Sequence, residues 1–266
     1  MRSGTARSWP RLGHHAPIGA ASHSAEPIHL ALVQRVLDRF GLDANDLRCG
    51  AHPPMHEPSA AAMLRAGEDF STLHNNCSGK HAFMVAASRH VDAASDYLPP
   101  EHPLQRLILD RLKSWTGHDP KVAIDGCGVP TFCMPVSALA QAFSQLACSM
   151  SSMNEPCRLG KIGWAMARHP DLTAGTGRLD PWIVRRAREP IAAKIGAMGV
   201  FCIALPARNM GLAIKVASGS TEALPVAVAA ALEAAAKGAW EEPVDWPFRK
   251  VTNVAGRVVG EWQSST

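Results

Sequence analysis

The sequence predicts an α+β fold, with helices gathered in the first two-thirds of the chain and antiparallel strands toward its end. Three observations carry that expectation. Apolar residues recur at helical spacing in one segment after another up to residue 168. Two apolar, β-prone runs, "GVFCIALP" (199–206) and "GLAIKVA" (211–217), are joined by a connection short enough only for a hairpin. The stretch "VTNVAGRVVGEW" (251–262) then reads as strand, glycine turn, strand. Strands that follow one another without intervening helices pair antiparallel, which argues against a repeating βαβ order.

Taken in order, the first helix is capped by Ser24, places Ile28, Leu32, Val36 and Phe40 four residues apart, and stops at Gly41. "PSAAAMLRAGE" (58–68) is a short helix with Gly67 near its stop. A third helix runs from about Lys80 to Ala94. "HPLQRLILDRLKSW" (102–115) is amphipathic through Leu104, Leu107, Ile108, Leu112 and Trp115. Two further helices fit 136–148 and 156–168, and an Ala-rich one fits 221–237. There is no internal repeat, and "ASRHVDAASDYLPPEHP" reads as a surface connection.

A chain of 266 residues, 47% of them hydrophobic, can bury one large domain or two tightly associated lobes. A net charge of +4, with no basic cluster, gives no footprint for nucleic acid. No apolar run approaches the roughly 18 residues of a membrane helix. "PVAVAAALEAAA" (225–236), the richest, is dominated by alanine and carries Glu233. Seven cysteines, an odd number in mostly apolar surroundings with no secretory signal before them, fit a reduced, cytoplasmic thiol inventory. The first 25 residues hold three arginines and no acid. An organelle transit peptide has that composition, but Trp9-Pro10 and His14-His15 break the amphipathic helix it needs. Residues 1–20 are therefore expected to be a divergent or disordered leader, and 21–266 a single domain.

Four segments bear chemistry. In "HNNCSGKH" (74–81) a phosphate loop is excluded, because His74 and His81 stand where glycine and Ser/Thr are required. A helix starting near Ser78 would aim free N–H groups at a carbonyl or anion and lower the pKa of Cys77, with Lys80 on the same first turn. A polar cap over a merely buried Cys77 is the plainer alternative. In "IDGCGVPTFCMPVSALAQAF" (124–143) the glycines demand a tight turn. Cys127 and Cys133 lack CxxC spacing, so Cys127 is either a turn cysteine or the partner of a remote thiol, Cys77 being the obvious one. "ASHSAEP" (21–27) is a cap with spare hydroxyls or a catalytic serine at a helix start. In "AKIGAMGVFCIAL" (193–205), Lys194 enters an edge strand, as in Ser–Lys acyl enzymes, or is simply solvated before a turn.

Together "ASHSAEP", "RCGAHPPMHE", "HNNCSGKHAFMV", "IDGCGVP", "AGTGRLD" and "AKIGAMGV" resemble the asparaginase II-like family, the thermolabile, rhizobial-type L-asparaginases, in order and rough spacing. The resemblance spans about residues 20–262. It implies a fold similar to serine β-lactamases and bacterial glutaminases, an antiparallel sheet flanked by helices. It also implies hydrolysis of the L-asparagine side-chain amide to aspartate and ammonia through an acyl-enzyme. Carried over by position, Ser22 and Lys194 would form a Ser–Lys pair. Cys77, Lys80 and Cys127 would hold one metal ion, zinc being the expectation, while His81 and Asp125 would contact substrate or order the pocket. No organic cofactor, nucleic acid or membrane is implied, and a homodimer is expected.

The departures from the family pattern are specific. Its second Ser–Lys pair, in an "RSxxKP" segment some thirty residues before the equivalent of Ser22, has no counterpart, and no serine here is followed three positions later by lysine. The sequence therefore reads as an N-terminally truncated member lacking N-terminal strands, whose partner would be the strand near 251–262. Ala25 replaces a family glycine, and Met198 a family glutamate. The expected activity is accordingly impaired, and the alternative is an inactive relic or a zinc- or thiol-binding protein of the same fold.

Overall fold

The computed structural model describes residues 15–91, 96–152, 157–244 and 246–265. It is α+β, with helices and small antiparallel sheets, and its chain divides into two compact units. The first comprises residues 1–111 with 120–133, the second 112–119 with 134–266. Residues 1–14 of the expected leader lie outside the described residues, as do 92–95 in the expected surface connection. No helix among the described residues is long and apolar enough to cross a membrane.

The first unit opens with the single turn α1 (Ala16–Gly19), followed by α2 (Pro27–Arg39), α3 (Glu57–Ala66), α4 (Ser78–His90) and most of α5 (Pro103–Thr116). Helix α2 is shifted from the expected one. Its cap is Glu26 rather than Ser24, and Pro27 supplies the fixed φ of a first helical residue. The buried stripe is His29, Leu32, Val33, Val36 and Leu37, while Ile28 faces solvent. Spacing of three and four follows the 3.6-residue period, which a strict step of four drifts away from. Helix α3 ends as its sequence predicts, on Gly67 in the left-handed region at φ 65°. Helix α4 packs so closely on α1 that a Cβ on Gly79 would lie 2.2 Å from the Ile18 carbonyl oxygen. Glycine there is a condition of that approach. The unit closes with a hairpin the sequence reading saw only as a turn, β1 (Lys121–Ile124) against β2 (Pro130–Cys133).

The second unit places α6 (Val136–Ser151), α7 (Arg158–Arg168), the short α8 (Pro170–Thr173) and α9 (Leu179–Arg186) before an antiparallel sheet. That sheet runs β3 (Ala192–Gly196), β4 (Val200–Leu205), β5 (Met210–Lys215) in spatial as in chain order. The helix α10 (Leu224–Ala235) and the hairpin of β6 (Lys250–Thr252) with β7 (Val258–Glu261) complete it. Strand β4 is buried on both faces. Phe201, Ile203 and Leu205 join Leu224, Val228 and Leu232 of α10 in one apolar cluster. On the opposite face the register aligns Lys194, Cys202 and Ala213, and next to them Ala204 and Gly211. Small residues are required there, since a Cβ on Gly211 would fall 2.1 Å from the Ala140 carbonyl oxygen of α6. Each fully buried Leu, Ile or Phe in such a cluster contributes about 1.5–3 kcal/mol.

Candidate functional site

Ser22 lies half-buried in the turn between α1 and α2. The turn is tied to the start of α4 and to the loop before α3. The His23 N–H donates to the Asn76 carbonyl at 3.0 Å, and the His56 N–H donates to the Ser24 carbonyl at 2.9 Å. His23 Nε2 is 2.9 Å from Ser78 Oγ, which itself donates to the Leu73 carbonyl at 2.9 Å. The start of α4 is shaped in turn by Asn75, whose Oδ1 accepts from the Cys77 N–H at 2.8 Å while its Nδ2 donates to the Cys49 carbonyl at 2.8 Å. Two amides in a row before the helix thus have separate work: Asn75 builds the turn with its side chain, and Asn76 receives the Ser22 segment with its backbone.

Cys77 stands at the cap position of α4, Lys80 on its first turn, and Cys127 at the tip of the β1–β2 hairpin. That tip closes through the Asp125 N–H to the Val129 carbonyl (2.8 Å) and the Gly128 N–H to the Asp125 carbonyl (2.9 Å), with Gly128 at φ 88°. It brings Cys127 Sγ within 3.4 Å of Lys80 Nζ and 3.2 Å of Asp125 Oδ2, which is 3.7 Å from the same ammonium. The two thiols interact, and this separates their acidities. Cys77 is pulled down to about 7, chiefly by the hydrogen bond from Cys127 and further by Lys80, against its burial. Cys127 is pushed up to about 12 by giving that bond and by burial. For Lys80, burial favours the neutral amine, but Cys77, Cys127 and Asp125 outweigh it and hold the ammonium above its ordinary value.

His81 is fully buried, and its Nδ1 is 2.8 Å from the Tyr97 hydroxyl, which accepts from the Arg48 N–H at 3.0 Å. The ring therefore braces α4 from inside. Lys194 belongs to the second unit. It lies within β3 rather than before a strand, paired across from Cys202, with its ammonium on the Ile195 carbonyl. The Ile195 N–H donates to Asp180 Oδ1 at 2.6 Å. Within a strand, N–H and C=O of one residue point the same way, so Asp180 and the Lys194 ammonium serve the same edge of β3. Asp180 is 1% exposed, and among the described residues its second oxygen has no hydrogen-bond partner.

Against this geometry the comparisons are direct. The sequence model of the family described as L-asparaginase II matches residues 1–264. The chain belongs to the L-asparaginase II family. Among curated proteins no relative matches it. Family membership supports asparagine hydrolysis in general. Of the residues singled out from the sequence, the first unit gathers Cys77, Lys80, Asp125 and Cys127, with the Ser22 turn strapped to the same helix start, and Lys194 lies in the other unit. Sequence reasoning missed Asp180 and Tyr97. Asp180 ended the quoted "AGTGRLD", and Tyr97 is the only tyrosine of the chain, which was the available signal for each.

The donor set fits a zinc ion. One ligand atom each from Cys77, Asp125 and Cys127 lies within 4.8 Å of the others. Zinc takes thiolates at about 2.3 Å and carboxylates at about 2.0 Å in a tetrahedron, so a small contraction would suffice. Asp125 therefore enters as a ligand candidate beside Lys80, whose amine would first have to lose its proton.

Proposed function

We propose that this chain hydrolyses the side-chain amide of L-asparagine, with Ser22 as nucleophile and, as the family resemblance implies, Lys194 in its neutral amine form as the base that takes the hydroxyl proton. The observation that carries the reading is the attachment of the Ser22 turn to the first turn of α4, in a chain whose sequence matches the L-asparaginase II family. Helix N-termini present N–H groups that no intrahelical bond uses, and these favour the oxyanion formed when Ser22 attacks the amide carbon. Collapse of that intermediate, with the proton taken from Ser22 passed to the leaving nitrogen, breaks the C–N bond, releases ammonia and leaves an aspartyl ester on Ser22, which water then hydrolyses to aspartate and free serine. In the same proposal the second unit's antiparallel sheet, with its helices, corresponds to that of serine β-lactamases and bacterial glutaminases.

Cys77, Cys127 and Asp125, with Lys80 as the ligand the family resemblance suggests, would hold the zinc ion. When bound, such an ion acts as a Lewis acid toward an amide or carboxylate oxygen. Apart from the metal, the chain's own contribution at this point is to bring the Cys77 thiolate within reach near neutrality, at a pKa of about 7, and to favour the charged form of Lys80. One zinc per chain is expected on metal analysis of the purified protein, with loss of the metal in Cys127→Ala. Metal-free protein with both thiols freely titratable would overturn the assignment.

Ammonia release from L-asparagine by the wild-type chain and by Ser22→Ala tests the activity. The expected fall in the variant is on the order of 10³-fold or more in kcat. Full activity in the variant would remove Ser22 from the chemistry. No ammonia from folded wild-type protein would favour the second reading, a zinc- or thiol-binding protein, which the lack of any S-x-x-K spacing supports.

A further inference from the structure

The order Ser22-His23-Ser24 invites a serine–histidine reading in which His23 activates a neighbouring hydroxyl. The hydrogen bonds around the ring say otherwise. His23 Nδ1 accepts from the Ala25 N–H at 3.2 Å, so this nitrogen carries a lone pair and no proton. Ser78 Oγ spends its single proton on the Leu73 carbonyl, so toward His23 it acts as acceptor, and Nε2 carries the hydrogen. Both nitrogens are thereby used, in opposite senses, and the only lone pair is committed to a backbone amide two residues away. The ring is fully buried and stacks on His29 with centroids 5.2 Å apart and planes at 15°.

We infer that His23 is a positioning residue for Ser22: a neutral, Nε2-protonated strut that fixes the Ser22–Glu26 turn against the first turn of α4. This rests on the reading of Ser22 as nucleophile. Residue 23 grips the entry to α4 twice, through its backbone N–H on Asn76, two residues before the helix, and its ring on Ser78, the first residue of it. The other nitrogen holds the amide of Ala25, an alanine at φ 56° in the left-handed region. Conformations of that kind persist where surrounding bonds over-determine them. A proton on Nδ1 would break the Ala25 bond and place a charge against His29 of α2 and His52 of the loop before α3, the titratable groups that face the ring. Burial first, then those two imidazoles, pull its pKa down to about 3.

The test pairs spectroscopy with two variants. ¹⁵N NMR of the imidazoles is recorded from pH 8 to 4.5 on wild-type chain and on Ser22→Ala. One histidine should appear as a fixed Nε2–H tautomer that does not titrate and disappears in His23→Gln. An Nδ1–H tautomer, or titration near 6.5, overturns the inference whether or not the variants fold. In kinetics, His23→Asn places an amide where Nδ1 was and preserves the acceptor for Ala25. His23→Gln reaches the Nε2 position and preserves the donor to Ser78. Each is expected to lower kcat about 10- to 100-fold with KM within about threefold, the pattern of a misplaced nucleophile. A loss equal to that of Ser22→Ala would make His23 the base, and unchanged kcat would make it merely structural; both overturn the positioning role. Failure of the Ser22 reading looks different, because Ser22→Ala would then keep its ammonia release whatever His23 does.

Discussion

The interiors of the two units are built by different physics. The first buries polar side chains held by directional hydrogen bonds: His23 to Ser78, His81 to Tyr97, Asn75 to the Cys49 carbonyl, Gln105 to the Tyr97 carbonyl. The second buries an apolar cluster of strand and helix residues, and among the described residues only Thr116, Thr173 and Asp180 are buried residues of polar or charged type there. Apolar packing is strong but indifferent to direction, whereas a satisfied buried hydrogen bond fixes an angle and penalises any alternative. The unit that carries Ser22 and the thiol cluster is accordingly the one with the directional interior.

The comparison predicts that truncation in the apolar interior costs the most stability. Phe201→Ala removes a fully buried ring from the centre of the second unit's cluster. It is expected to lose about 3–5 kcal/mol, read as a lowered midpoint in urea. A loss below about 1 kcal/mol would mean that the cluster does not hold the second unit together.

Acid separates the units next. His23 has a folded-state pKa of about 3 against 6.5 for a free imidazole, so only the unfolded chain takes up the proton between those values. The stability this confers is complete above 6.5 and is lost as pH falls from 6.5 toward 3. The slope is at most about 1.4 kcal/mol per pH unit. Unfolding midpoints measured from pH 7 to 4 should therefore fall less steeply in His23→Gln than in wild type. Parallel slopes would show that the polar interior is not the source of acid sensitivity.

The two kinds of interior also explain what the sequence disclosed. Helices α2 to α7 and the β4–β5 pair were legible because apolar periodicity is a property of the chain itself. Strand β3 was not: "AAKIG" has one β-branched residue, and only its pairing with β4 makes it a strand. The β1–β2 hairpin was hidden for a related reason, since all four residues of β1 are exposed and show no alternation. In the first unit the residue types of the site were legible, and the contacts that hold them were not. His81 Nδ1 meets the hydroxyl of Tyr97, sixteen residues on, a pairing that no local pattern announces. His29 belongs to the buried stripe of α2 but is omitted by any apolar count. Hydrogen-bond partners distant in sequence leave no periodic trace.

The smallest effect comes from one substitution made in both units. Ala25 and Met198 both adopt left-handed backbone, at φ 56° and 58°. Glycine relieves about 1–2 kcal/mol of strain at such a residue. It returns about 0.4–1 kcal/mol through the greater freedom of the unfolded chain. Met198 is 69% exposed, so little packing is lost, and Met198→Gly should gain about 0.5–1 kcal/mol. Ala25 is 1% exposed, and removing its buried methyl group gives back about 0.8 kcal/mol, which leaves Ala25→Gly near zero. Urea midpoints of the two variants, read side by side, check the difference. An equal gain at both positions would show that the methyl of Ala25 adds nothing to the packing of the Ser22 turn, and that its hydrogen bonds alone hold it.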